Sequence, residues 1–215
     1  MKNKELQQII IAIIVLGFVS GFLELIKREL KPFFVIMGFS AIIIVINIFA
    51  KKIVASRLDA DVEHEIWKMD RFWFNPSDYI KKGVMAGVII PFFVTVVSLG
   101  SIKLMTIMTY ETHALKRRAA RRFGPYSYTE MTDWHNAIVG AVGIISVLLI
   151  AFISYWLPGD VWITIGKMSI FYAFFNLIPF SKLDGSQIYF GSRVLWSVLG
   201  VITLIFMTYA MLLPV

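Results

Sequence analysis

The sequence predicts an all-α polytopic membrane protein with about six transmembrane helices, some of them kinked or re-entrant. Composition is the first reason: 58% of the 215 residues are hydrophobic and 16% are charged, against roughly a quarter charged in soluble domains. Mean hydropathy is +0.76. The apolar residues also fall in long blocks, close to the roughly 20 residues that a helix needs to cross a bilayer. About six such spans with their loops use the whole length, which leaves no room for a separate soluble domain of ordinary size. Three units are expected: an N-terminal transmembrane hairpin over 1–50, an amphipathic interfacial or loop segment over 51–83, and a membrane core over 84–215.

Taken in order, the first block runs from about Ile9 to Ile26 after Lys2 and Lys4. It passes straight into the charged turn Lys27-Arg28-Glu29-Leu30-Lys31, with no small-residue cleavage site of the kind a signal peptide carries. The second block, Phe33 to Ala50, stops at Lys51-Lys52 and completes a hairpin. Residues 51–83 hold seven Lys and Arg and six Asp and Glu, too many to cross the membrane. Leu58, Val62, Ile66, Met69 and Trp73 recur there at helical spacing, which predicts an amphipathic helix. Asn75-Pro76-Ser77-Asp78 reads as a turn, with Ser77 capping a further short helix.

The third block, Val84 to Leu99, contains Gly87 and Pro91, which mark a kink. The run after Gly100-Ser101 turns polar from about Thr109. Lys116, Arg117, Arg118, Arg121 and Arg122 then mark a cytoplasmic loop by the positive-inside rule. A single crossing by 84–106 would put the seven cations of 51–83 on the opposite side. Either 84–110 forms a re-entrant hairpin or other loops set the orientation. Spans over 137–157, about 161–180 and Val194 to Leu213 complete the core. Thr129 is the expected N-cap of the first of these, with Glu130 and Asp133 in its first turn.

The chain has no cysteine, which excludes disulfides, thiolate metal sites and a cysteine nucleophile. Any metal must use His, Asp or Glu. The net charge of +7 belongs to loops that set orientation and meet anionic lipid rather than to a nucleic-acid surface. The expected partners are the lipid bilayer and a transmembrane segment of another membrane protein, with no nucleic acid, in a multi-pass protein of the cell membrane.

The most informative residues end the sixth block. An ionisable group there is costly unless it binds something, so Asp184 is a functional-site candidate. The run Asn176-Leu177-Ile178-Pro179-Phe180-Ser181-Lys182-Leu183-Asp184-Gly185 resembles the Asn-x-x-Pro-x-x-x-Leu-Asp-Gly motif of the site-2 protease family of intramembrane zinc metalloproteases. It matches at Asn176, Pro179, Leu183, Asp184 and Gly185. The resemblance implies that Asp184 stands where the family has its third zinc ligand, with Asn176 and Pro179 shaping the broken helix end beside it. In the family a His-Glu-x-x-His helix is followed by a small-residue and basic run ending in Gly, which Lys116 to Gly124 resembles. A span with Ala-Gly-Pro near its start comes next, and Val142-Gly143-Ile144 keeps only the Gly.

The histidine helix itself is degenerate. Aligned on Ala120 to Gly124, the motif falls on Thr112-His113-Ala114-Leu115-Lys116, with Thr112 and Lys116 in the ligand positions and His113 in place of the general base. Taking His113 as the second ligand instead leaves Thr109 and Tyr110 where the first His and the Glu belong. His64-Glu65-Ile66-Trp67-Lys68 begins the pattern and ends on lysine, and on a helix His64 and Glu65 would lie on a solvated face. A catalytic zinc needs three protein ligands and an open position. The expectation is therefore a homologue that no longer cuts and holds no cofactor, in which Lys116 takes the place of the zinc and pairs with Asp184. It would bind or help assemble membrane proteins. The alternative is an active intramembrane zinc endopeptidase with a rearranged site drawn from Asp184, His113, His64 and His135.

Overall fold

A computed structural model of the chain describes residues 3–71, 79–115 and 131–212. Its order is α1 (Asn3–Ile26), α2 (Leu30–Arg57), β1 (Ala60–Ile66), β2 (Met69–Arg71), β3 (Tyr79–Val84), α3 (Ala86–Val97), β4 (Met108–Ala114), α4 (Asp133–Ser154), α5 (Asp160–Leu177), α6 (Asp184–Gly191) and α7 (Arg193–Leu212). The described residues are mostly helical. Four helices, α1, α2, α4 and α7, are long and apolar enough to cross a membrane. At 12 residues α3 measures about 18 Å, short of the ~30 Å hydrocarbon core.

The first two helices form the expected hairpin. Arg28 takes a left-handed conformation, φ 61°, and the Glu29 amide closes back on the Glu24 carbonyl at 2.9 Å. Pro32 falls in the first turn of α2, where its missing N–H has no helical partner to lose. Contrary to expectation, α2 does not stop at Lys51-Lys52. The apolar run Ile53-Val54-Ala55 carries the helix to Arg57, and Asp59 ends it in the left-handed region at φ 53°.

The segment after α2 is extended rather than helical. In β1 the residues Ala60, Val62, His64 and Ile66 are buried and alternate with more exposed neighbours, a period of two. The antiparallel partner is β4, in a register that sets Asp61 opposite His113 and His64 opposite Tyr110. The shorter strands β2 and β3 pair with each other. The turn and short helix expected around Asn75 to Asp78 lie outside the described residues, as does Trp73.

Residues 87 to 107 leave this sheet region and return to it. Trp67 donates its amide to the Ile107 carbonyl and accepts from Gly87, both at 2.9 Å. A Cβ at Gly87 would lie 2.1 Å from that same Ile107 carbonyl, so only glycine allows the two ends to meet. The far end reverses through Leu99 and Gly100, at φ 52° and 80°, beside Phe22 and Leu23 of α1.

One hydrophobic cluster joins the hairpin to the C-terminal helices. It holds Leu16 of α1, Ile44 and Ile48 of α2, Ile144 and Val147 of α4, Tyr172 of α5, Ile188 of α6 and Leu199 of α7. The start of α4 is capped by Thr132 rather than Thr129. The Thr132 hydroxyl accepts from the His135 amide and Asp133 opens the first turn, while Thr129 and Glu130 lie outside the described residues.

Candidate functional site

Asp184 opens α6, and the residues between Leu177 and Leu183 show why. α5 ends at Leu177, and Pro179 two residues on cannot continue it. Ser181 adopts φ 54°, and the Leu183 amide closes on the Phe180 carbonyl at 3.2 Å. The carboxylate therefore sits in the first turn of α6, the helix end that favours negative charge. Asn176 pins this break from below: its side-chain nitrogen donates to the carbonyls of Tyr172 at 2.8 Å and Met105 at 3.2 Å. Gly185 makes room for a close approach: a Cβ there would lie 2.1 Å from the Leu177 carbonyl oxygen.

The partner of Asp184 is Lys51. The ammonium of Lys51 lies 2.5 Å from Oδ2 of Asp184, and the two side chains are 3% and 2% exposed. Nothing in the sequence suggested this pair, because Lys51-Lys52 reads as the charged end of a span. The longer α2 instead leaves Lys51 inside a helix that packs on α4. Lys116, the expected partner, lies outside the described residues. The Lys51 ammonium also stands 4.5 Å from the centre of the Tyr110 ring, a cation–π contact. Its stem crosses α4 at Gly143, where a Cβ would come within 2.3 Å of the Lys51 Cε. Asn47, one turn earlier on α2, lies on the same side: its Nδ2 is 3.0 Å from that Gly143 position. An i, i+4 pair, Asn47 and Lys51, thus shares one helix face and meets Gly143 of α4, with Lys51 reaching on to Asp184.

Around this pair the site is tightly closed. Tyr110 donates its hydroxyl to the Asn136 carbonyl at 2.7 Å and accepts at its own carbonyl from Gln187 of α6 at 2.8 Å. Burial and the nearby Asp184 charge hold the Tyr110 phenol well above its usual pKa, so it stays a neutral donor. Asn47 Nδ2, Asp184 Oδ1 and Ser186 Oγ are buried with no hydrogen-bond partner among the described residues. Buried polar atoms of this kind mark places for ordered water. A cavity of about 290 Å³ adjoins the site, bounded by Tyr110, Asn136, Lys182 and Gln187 among others.

The three histidines do not gather at Asp184. His64 is buried on the inner face of β1 and not solvated as expected, because the period of two turns it inward. Its Nδ1 lies 3.4 Å from Glu5 Oε1, an oxygen that already meets the Lys52 ammonium at 2.6 Å. Burial first, then the charges of Lys51 and Lys52, lower the His64 pKa to about 2. His113 occupies an exposed position of β4, and the neighbouring Thr112 hydroxyl bonds the Asn136 side chain. Thr112 and His113 are thus strand residues, not a metal-binding helix. His135 lies at the start of α4, its ring against the Thr132 hydroxyl. Among the described residues no group of three or more His, Asp and Glu converges as a metal ion requires. Comparison with protein-family models, with curated proteins and with solved structures finds no match to this chain.

Proposed function

We propose that this is a multi-pass cell-membrane protein built like a site-2 protease, with an internal ion pair where the family holds zinc, and that it binds or helps assemble other membrane proteins without cutting them. The observation that carries the reading is the pairing of Lys51 with Asp184, with Asn47 one helical turn earlier on α2 against the same glycine of α4, Gly143. Asn47-Ile48-Phe49-Ala50-Lys51 has the spacing of His-Glu-x-x-His, with Asn and Lys in the ligand positions and Ile in place of the base. The residues after it fit too. Lys52-Ile53-Val54-Ala55-Ser56-Arg57-Leu58-Asp59 keeps two basic and two small residues of such a run and ends at a left-handed residue, the conformation a glycine favours. On this register Gly143, the glycine kept from Ala-Gly-Pro, faces Lys51.

The donor set around Asp184 suits zinc poorly, because an amide and an ammonium stand where two imidazoles belong and the ammonium already balances the carboxylate. With no general base at position 48, these residues have no group to activate water. They can instead hold α2, α4 and α6 in fixed relation, and the contact with a segment of another protein is proposed at the mouth of the adjoining cavity, beside Tyr110 and Gln187. The return of 87–107 to its starting point supports a re-entrant loop, which would keep β1 and β4 on one side of the membrane.

Metal analysis of the purified protein tests the reading. Wild type carries no stoichiometric zinc, and the Asn47→His/Lys51→His variant, which restores two ligands beside Asp184, gains about one zinc per chain. One zinc in wild type, or none in a folded double variant, overturns it.

A further inference from the structure

The geometry points to a phospholipid site in the groove between α1, α2, α5 and the returning loop, with the lipid phosphate held by Lys31 and Lys103. This inference is independent of what the Asp184 pair does. The groove has a volume of about 900 Å³, within the range of sites that enclose most of a small ligand. Lys31 and Lys51 are 20 residues apart on α2, so the groove opens about 30 Å from the ion pair, at the opposite end of the helices.

Its polarity is graded. At the rim stand Lys31 of α2, Glu24 of α1, Asp160 at the start of α5, and Lys103 on the returning loop. Further in, the walls are Phe39, Phe171 and Phe175. From Asp160 to Phe175 along α5 is about 22 Å, deeper than the ~15 Å half-thickness of the hydrocarbon core. Lys167 lies two turns below Asp160, and its stem is long enough to bring the ammonium back toward the rim. A groove with charge at the interface and aromatic walls reaching past the midplane matches one lipid of one leaflet.

The rim charges also specify the headgroup. The ammonium of Lys103 is partly buried and forms no hydrogen bond or close ion pair among the described residues; the Glu24 charge acts on it from a distance, and Glu24 itself meets Lys27 at a loose 3.8 Å. Charges partly buried beside an apolar groove are stabilised by a counter-charge. A phosphate answers Lys31 and Lys103, and a headgroup amine answers Glu24 and Asp160. A lipid with phosphate and primary amine, of the phosphatidylethanolamine type, satisfies both signs at once. A transmembrane helix would fill the apolar walls and leave the rim unmet.

Native mass spectrometry of the delipidated full-length protein, titrated with phosphatidylethanolamine or with a diacylglycerol of the same chains, tests this. One phosphatidylethanolamine binds per chain, about tenfold more tightly than diacylglycerol, as two charge-assisted contacts to a phosphate imply. The Lys31→Gln/Lys103→Gln variant binds both lipids alike, and Arg57→Gln, at the far end of α2 from the groove, behaves as wild type. Equal binding of the two lipids by wild type, no retained lipid, or undiminished preference in the double variant overturns the assignment. Phe171→Ala, which leaves the rim intact, weakens both lipids together; a loss confined to one lipid counts against the groove.

Discussion

Removing the Lys51 ammonium alone leaves a carboxylate buried with no hydrogen-bond donor to satisfy it, and that is the costly half of a buried ion pair. Breaking such a pair from one side costs about 3–5 kcal/mol, whereas replacing both partners by apolar groups of similar size is near neutral. Lys51→Met should therefore lower the unfolding temperature in detergent sharply, and Lys51→Met/Asp184→Leu should recover most of the loss. Equal losses in single and double variants would show that Lys51 matters for some reason other than its partner. Only one member of the pair was legible in the sequence. Asp184 announces itself as an acid at the end of an apolar block, inside a motif that matches at five positions. Lys51 sits beside Lys52, and two lysines after an apolar run read as the end of a span. The clue to the contrary was Ile53-Val54-Ala55, which continues the helix, together with the four-residue step back to Asn47. Lysine and asparagine are not the side chains a metal site is sought by, so a search for histidines passes over both.

Among the elements, β1 shows most directly why periodicity can mislead. Leu58, Val62, Ile66 and Met69 satisfy a helical period, yet Ala60, Val62, His64 and Ile66 satisfy a period of two with equal economy. Tertiary pairing decides: β4 lies alongside, and Asp59 has already ended the helix. The change of element moves His64 from a solvated face to a buried one, and pH dependence follows from that. In the folded chain its pKa falls to about 2, while in the unfolded chain it stays near 6.5. Below about pH 6.5 the unfolded state takes up a proton that the folded state refuses, so stability falls as pH falls. The slope approaches ~1.4 kcal/mol per pH unit, about 2 kcal/mol between pH 6.5 and 5. His64→Gln should flatten the loss of unfolding temperature between pH 7.5 and 5. If wild type and variant track each other over that range, His64 is not buried neutral.

At the scale of the whole molecule, the four long helices follow directly from composition, because blocks of apolar residues near 20 in length have few other uses. The course of 84–110 did not follow. A proline and a glycine announce irregularity there without saying whether the chain crosses or turns back; what the structure adds is that Gly87 and Ile107 meet. The loop is deep: Gln8, which accepts the Ile66 amide, and Leu23, which touches the loop's far end, are 15 residues apart on α1, about 22 Å. Side is then the decisive measurement, and a chain without cysteine suits single-cysteine labelling. With a membrane-impermeant maleimide on oriented vesicles, Met85→Cys and Glu111→Cys, which flank the loop, should react from the same face as Ser56→Cys. Glu29→Cys, in the turn between α1 and α2, should react from the opposite face. That outcome gathers the cations of 51–83 and 116–122 on one side, against three in the turn over 27–31, as the positive-inside rule requires. Reaction of Met85→Cys and Glu111→Cys from opposite faces would mean that the loop crosses, and β1 could not then pair with β4 across the bilayer.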